Sequence, residues 1–91
     1  MNRLEGKVAV ITGGAGGIGK AAGKLFVNEG ADVLLVDLDE DALKSACNEI
    51  GSNKASYCVA DVTNSSDNQK MINLAEERYG GVDVLLANAG V

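Results

Sequence analysis

The chain has 91 residues, 46% hydrophobic and 23% charged, with a formal net charge of −5, three aromatics and no histidine. That length allows one small domain. The acidic balance argues against nucleic acid and anionic membrane surfaces, which are bound through clustered Lys and Arg, and the lack of histidine removes the commonest metal ligand and general base.

The first residues hold a lone Arg3 and an apolar run of only four residues, Val8 to Ile11. That is too short for a signal-peptide core or a membrane span, so a cytoplasmic location is expected. KVAVIT, Lys7–Thr12, is a β-branched run that reads as a strand buried on both faces. A loop follows with five glycines among the seven residues from Gly13 to Gly19. Ile18, Ala22, Leu25 and Phe26 then recur at helical spacing and are expected to face the core, with Gly30 ending that helix.

ADVLLVD, Ala31–Asp37, reads as the second strand. Asp39 is placed to cap a helix whose apolar stripe is Leu43, Ala46, Cys47 and Ile50, closed by Gly51. ASYCVAD, Ala55–Asp61, is the third strand. Asn64, Ser65 or Ser66 caps the next helix, with its stripe at Met71, Leu74, Ala75 and Tyr79 and its stop at Gly80-Gly81. VDVLLANAG, Val82–Gly90, is the fourth strand. Cys47 and Cys58 lack C-x-x-C spacing and read as buried free thiols of a reducing compartment; no metal site is expected.

The order β-α-β-α-β-α-β predicts an α/β fold: a doubly wound, Rossmann-type parallel sheet with strand order 3-2-1-4. Residues 1–91 are expected to form the amino-terminal part of a single domain of this type, with no second domain among them. The apolar fourth strand would leave an open edge, which natural sheets avoid. The chain is therefore expected to be the amino-terminal part of a longer domain.

The glycine loop fits two fingerprints. Gly14, Gly16 and Gly19 read G-x-G-x-x-G, while Thr12, Gly13, Gly17 and Gly19 read T-G-x-x-x-G-x-G. Either one, between a strand and a helix, lets the backbone approach a pyrophosphate at the helix start. Asp37 lies 18 residues after Gly19, at a strand end where a carboxylate can accept both ribose hydroxyls of an adenosine. It would repel a 2′-phosphate. The residues after it, Leu38, Asp39, Glu40 and Asp41, bring no cation, and neither do Ala15 and Gly16. NAD is therefore favoured over NADP. Asp61 by itself reads as a turn former or cap, and Asn88 as a polar residue that could equally satisfy backbone groups.

TGGAGGIG, DVT and NAG, in this order and at this spacing, resemble the amino-terminal third of the short-chain dehydrogenase/reductase family from about Lys7 onward. The resemblance selects the register that begins at Thr12-Gly13, with Gly16 standing where many members have serine. It implies that Gly13, Gly17, Ile18 and Gly19 form the dinucleotide turn and that Asp37 holds the adenosine ribose. It implies that Asp61 bonds the adenine amino group beside the Val62 backbone, and that Asn88, Ala89 and Gly90 line the cofactor ribose. Ala87 and Asn68 depart from the family pattern, which has a further asparagine at the first position and an aliphatic residue at the second.

The family's catalysis uses a tyrosine with a lysine four residues later. Here Asp61 follows Tyr57 at that distance, and Asp83 follows Tyr79. No catalytic residue is therefore assigned, and the 91-residue chain is expected to be inactive alone. The implied whole protein transfers hydride between NAD(H) and a small alcohol or carbonyl substrate, as a homo-oligomer. A stand-alone dinucleotide-binding module shares the glycine loop and Asp37 but should blunt the edge of its last strand. A methyltransferase-type nucleoside site would carry an acidic residue where Thr12 stands.

Overall fold

A computed structural model of the chain describes residues 4–13, 15–61 and 63–87. Four strands alternate with three helices: β1 (Val8–Thr12), α1 (Gly17–Asn28), β2 (Asp32–Asp37), α2 (Glu40–Ile50), β3 (Ala55–Val59), α3 (Ser65–Tyr79) and β4 (Val84–Ala87). The strands form one sheet in the order β3-β2-β1-β4, every pair parallel. This is the expected doubly wound topology. Right-handed crossovers explain it: two successive units extend the sheet one way, and the third returns past β1 to its other side.

The core lies on both faces of the sheet, because successive residues of a strand point to opposite sides. Ala9, Ile11, Val33 and Leu35 pack under α1 and α2 together with Leu43 and Ala46. Val10, Leu34 and Val36 face the other way and pack with Met71 and Ala75 of α3. Val33 to Val36 are fully buried, each contributing about 1.5–3 kcal/mol of transfer free energy on the usual scale. The nearly continuous apolar run in β2 thus reflects a strand covered on both sides.

Local chemistry sets the helix ends. The Asp39 side chain accepts from the Ala42 N–H, and the Asn64 side chain from the Asp67 N–H. Of the three candidates for the second cap, Asn64 takes the role. Gly51 and Gly80 end α2 and α3 in the left-handed conformation. Asn68, half-buried rather than in the core, donates from its side-chain amide to the Asn64 carbonyl.

The stripe expected on α1 is corrected by the structure. Ile18 is 74% exposed and Leu25 59%. The face turned to the sheet carries Gly19 and Gly23, both buried, with Ala22, Phe26 and Val27 partly buried beside them. A Cβ on Gly23 would lie 3.1 Å from Leu35 Cδ2 and 3.3 Å from Ile50 Cδ1. The helix approaches closely where it carries no side chain, so the most apolar side chains are not the most buried.

β4 is joined to β1 by more than its ladder. The Val8 N–H donates to Asp83 Oδ2, and the Asp83 N–H donates to the Val8 carbonyl, both at 2.9 Å. Leu85, in register with Val10, lies on the α3 side of the sheet and is 53% exposed.

Candidate functional site

The sheet order reverses at β1: its two neighbours, β2 and β4, are reached by crossovers running in opposite directions. In such sheets the crevice beyond the strands' carboxyl ends is the ligand site. Thr12 ends β1, is 4% exposed, and donates from Oγ1 to the Leu86 carbonyl at 3.3 Å. That bond holds β1 and β4 together at the point where the crevice opens.

Gly13 then turns the chain with φ +68, a left-handed value that favours glycine. The Gly16 N–H donates back to the Gly13 carbonyl at 3.1 Å, which curls the loop onto the start of α1. Gly16 caps α1 in an extended conformation with no side-chain hydrogen bond, and the first turn holds no acidic residue. The Lys20 N–H is bonded to the Gly16 carbonyl at 2.9 Å. The N–H groups of Gly17, Ile18 and Gly19 therefore precede the helical ladder, where an anion is favoured. A Cβ on Gly17 would meet nothing within 4 Å. Among the described residues nothing gives a steric reason for glycine there, whereas close approach by a ligand would.

Asp37 ends β2 beside this loop. Its Oδ2 accepts from the Ala15 N–H at 3.2 Å and its Oδ1 from the Leu38 N–H at 2.7 Å. The chain leaving β3 is tied alongside, since the Ala60 N–H donates to the Asp37 carbonyl at 3.0 Å. Asp61 follows directly. Its Oδ1 accepts from both the Thr63 N–H at 2.9 Å and the Thr63 hydroxyl at 2.6 Å. These bonds, the hydroxyl's first, hold its carboxyl below the ordinary carboxylate range, with slight burial opposing them. The Asp61 N–H donates to Asp67 Oδ2 at 2.8 Å, which fixes the turn to the first turn of α3.

The structure therefore brings Thr12, Gly13, Gly17, Ile18, Gly19, Asp37, Leu38 and Asp61 to one edge of the sheet. Ile18 and Leu38 stand 74% and 66% exposed on it, apolar groups left uncovered beside the loop and the Asp37 carboxylate. Val62, Asn88, Ala89 and Gly90 lie outside the described residues. Two participants escaped the sequence reading: the Ala15 N–H and Thr63. The Asp-x-Thr spacing was the available signal for Thr63, because a carboxylate readily accepts from the backbone two residues on.

Neither tyrosine belongs to this edge. The Tyr57 hydroxyl donates to Glu40 Oε2 at 3.2 Å, and partial burial, then that carboxylate, raise its pKa. Tyr79 shares a hydrogen bond with Ser56. Cys58 is buried and Cys47 half-buried, both are free, and desolvation raises both thiols, the opposite of what a nucleophile needs. A groove of about 470 Å³ runs between α1 and α2, lined by Gly17, Lys20, Ala21, Lys24, Glu49 and Ile50. Its lysines and glutamate form a solvated face, with Lys20 paired to Glu49 at 2.5 Å. Among the described residues no group of three or more His, Cys, Asp or Glu is placed to hold a metal ion, and no helix is long and apolar enough to cross a membrane.

The short chain dehydrogenase family model matches residues 7–91. The chain belongs to the short-chain dehydrogenase/reductase family. It is 45% identical over 89 residues to short-chain dehydrogenase reductase 3a of Arabidopsis thaliana, covering 98% of this chain and 35% of that protein. It is 48% identical over 90 residues to short chain aldehyde dehydrogenase 1 of Euphorbia lathyris, covering 98% of this chain and 31% of that one. Among solved structures, a short-chain dehydrogenase/reductase of Brucella melitensis described as a glucose/ribitol dehydrogenase superposes with a TM-score of 0.87 at 38% identity. The match covers 91% of this chain and 35% of that one. The chain thus spans about a third of the length of the family members it matches. It corresponds to the amino-terminal portion of an oxidoreductase family whose members typically use nicotinamide dinucleotides.

Proposed function

We propose that this chain is the cofactor-binding portion of an NAD-dependent oxidoreductase acting on an alcohol–carbonyl pair. The observation that carries the proposal is the Asp37 carboxylate, standing 3.2 Å from the Ala15 N–H of the glycine loop. A carboxylate at that distance from the pyrophosphate turn accepts the hydroxyls of an adenosine ribose. A 2′-phosphate entering there would meet the Asp37 charge, with Asp39, Glu40 and Asp41 close behind it in sequence. Gly17 has open space around it, and the first turn of α1 offers N–H groups that precede the helical ladder. The exposed side chains of Ile18 and Leu38 offer apolar surface to the nucleoside.

The nicotinamide ring, when bound, supplies the group that takes or gives hydride. The proton carrier is not within residues 1–91: Tyr57 and Tyr79 have Asp61 and Asp83, not lysine, four residues on. The isolated chain should therefore bind without turnover. In this proposal residues 1–91 form part of a single NAD-binding domain. The whole protein acts on a small alcohol or carbonyl compound as a homo-oligomer in the cytoplasm, and the free thiols Cys47 and Cys58 suit that compartment.

Calorimetric titration of the purified chain with NAD and with NADP tests the reading. NAD is expected to bind at least about tenfold more tightly, the penalty of one uncompensated charge contact. Equal affinity, a preference for NADP, or binding of neither would overturn it. Steady reduction of NAD with an alcohol would overturn the assignment of the catalytic residues to another segment.

A further inference from the structure

β3 ends the sheet on the side away from β4, and among the described residues nothing pairs with its outer edge. The Val33 N–H donates to the Lys54 carbonyl at 2.8 Å, and the Ala60 N–H to the Asp37 carbonyl at 3.0 Å. In a parallel ladder alternate residues turn their backbone groups to the neighbour. Ser56 and Cys58, in step with Lys54 and Ala60, therefore face β2, and Ala55, Tyr57 and Val59 face outward. The Ala55 N–H is taken by the Ser52 carbonyl at 3.2 Å, and the Val59 carbonyl has only the Cys58 thiol at 3.9 Å. The N–H groups of Tyr57 and Val59 and the carbonyls of Ala55 and Tyr57 meet no partner among the described residues.

Sheet edges are normally guarded by charge, proline or a bulge. β3 carries none of these: it reads ASYCV and keeps register with β2 over five consecutive pairs. Its edge instead lies in a groove of about 420 Å³ lined by Cys47 of α2, Arg78 of α3, and Ala55, Ser56 and Tyr57. The two walls differ, because successive residues of a strand point to opposite faces. On the α2 side lie Cys47, Tyr57 and Val59, which is 36% exposed. Glu40 and Lys44 act on the Tyr57 hydroxyl there with opposite signs, so that wall is apolar with balanced charge. On the α3 side Ser56 is bonded to Tyr79. Arg78 is exposed beside it, with no ion pair or hydrogen bond among the described residues. Its neighbour Glu77 lines a different groove on α3, with Ser66 and Lys70.

We propose that the β3 edge is a docking site for one extended, amphipathic, acidic segment of a partner protein, added to the sheet as a further strand. The segment's backbone pairs with the free groups of Ala55, Tyr57 and Val59. Its apolar side chains lie against Cys47, Tyr57 and Val59, and its carboxylates reach Arg78. A second copy of this chain fits less well. α2 packs chiefly over β3, so two copies joined edge to edge would set their α2 helices about 5 Å apart, inside the roughly 8–10 Å that packed helices need. A lone strand brings no helix with it. The proposal stands apart from the dinucleotide reading, since none of these residues belongs to the glycine-loop edge.

The test uses the isotope-labelled 91-residue chain and an acetylated, amidated peptide, Thr-Val-Glu-Val-Glu-Val-Thr, which is apolar on one face and acidic on the other. It should bind with a Kd of about 1 mM or tighter, shifting the amide resonances of Tyr57 and Val59. The same peptide with Lys in place of Glu should bind at least about fivefold more weakly. Arg78→Gln should bring the two peptides to within about twofold of each other. Val59→Pro removes an outward N–H and no ladder bond, a place where an edge strand accepts proline. It should weaken the acidic peptide by about fivefold. A peptide N-methylated at alternate residues reads the same loss of backbone pairing should the proline chain not fold.

Absence of binding at millimolar peptide, equal binding of the Glu and Lys peptides, or shifts confined to another surface would each overturn the proposal. So would self-association of the chain in sedimentation velocity that Val59→Pro abolishes, because the occupant would then be a second copy.

Discussion

The Asp37 carboxylate and the Ala15 backbone are joined by a 3.2 Å hydrogen bond, so the end of β2 grips the glycine loop that follows β1. One side chain thereby orders the loop and, in the proposed function, presents an acceptor to a ribose. Asp37→Ala removes both. Its NAD affinity should fall at least about tenfold while NADP, which gains from the lost repulsion, changes less. Calorimetric titration of both cofactors checks this, and an unchanged NAD/NADP ratio would contradict it.

Gly16 sits at φ −75 and ψ 165, an extended conformation open to any residue, and caps α1 without a side-chain bond. A Cβ there lies 3.5 Å from the Gly13 carbonyl, an ordinary contact. Gly16→Ser should supply the missing cap and lower the entropy of the unfolded chain. The expected gain is about 0.5–1 kcal/mol, or roughly 2–8 °C in midpoint for a domain of this size. Thermal unfolding followed by circular dichroism measures it.

Gly30 follows α1 at φ +96, and a Cβ on it would lie 3.0 Å from Glu5 Cα and 3.2 Å from Glu5 N. Backbone cannot move aside as a side-chain tip can. Gly30→Ala should therefore cost about 1–3 kcal/mol, combining left-handed strain with that clash. A lower urea midpoint at unchanged slope is the expected result.

The Asp61 carboxyl is held low by Thr63, and this gives a pH dependence of known sign. A carboxyl with a depressed folded-state pKa adds stability above its unfolded value of about 4. That contribution is lost as the pH falls through the lower folded value. Thr63→Val weakens the bonds responsible. It should thus be less stable than the parent chain at pH 7, and the two should converge as the pH falls through the lowered folded-state value. Urea titrations at several pH values decide it; a difference that persisted in acid would trace to packing instead.

Much of the fold is legible in the residues. β2 announces a strand covered on both faces because Val33 to Val36 leave no polar side to face solvent. Leu43 with Ala46 and Met71 with Ala75 are spaced to meet a sheet, and they do. α1 is the exception: Ile18 and Leu25 are exposed, and the buried face runs through Gly19 and Gly23. A periodicity read from apolar side chains cannot register a face whose fit depends on having none. Asp83 was similarly hidden, because its bond to Val8 joins residues 75 apart in sequence.

At the site, composition and spacing alone place the glycine loop between β1 and α1 and a carboxylate at the end of β2. Both follow from local rules, since a tight turn and a strand end are specified by neighbouring residues. Tertiary structure alone decided what the carboxylates touch. Asp37 reaches a backbone donor 22 residues away, and Asp61 turns both Thr63 donors onto one oxygen and leaves the other clear. Those directions depend on how β1, β2 and β3 are set side by side and where α3 begins. Sequence names the chemical groups; only the packed sheet aims them.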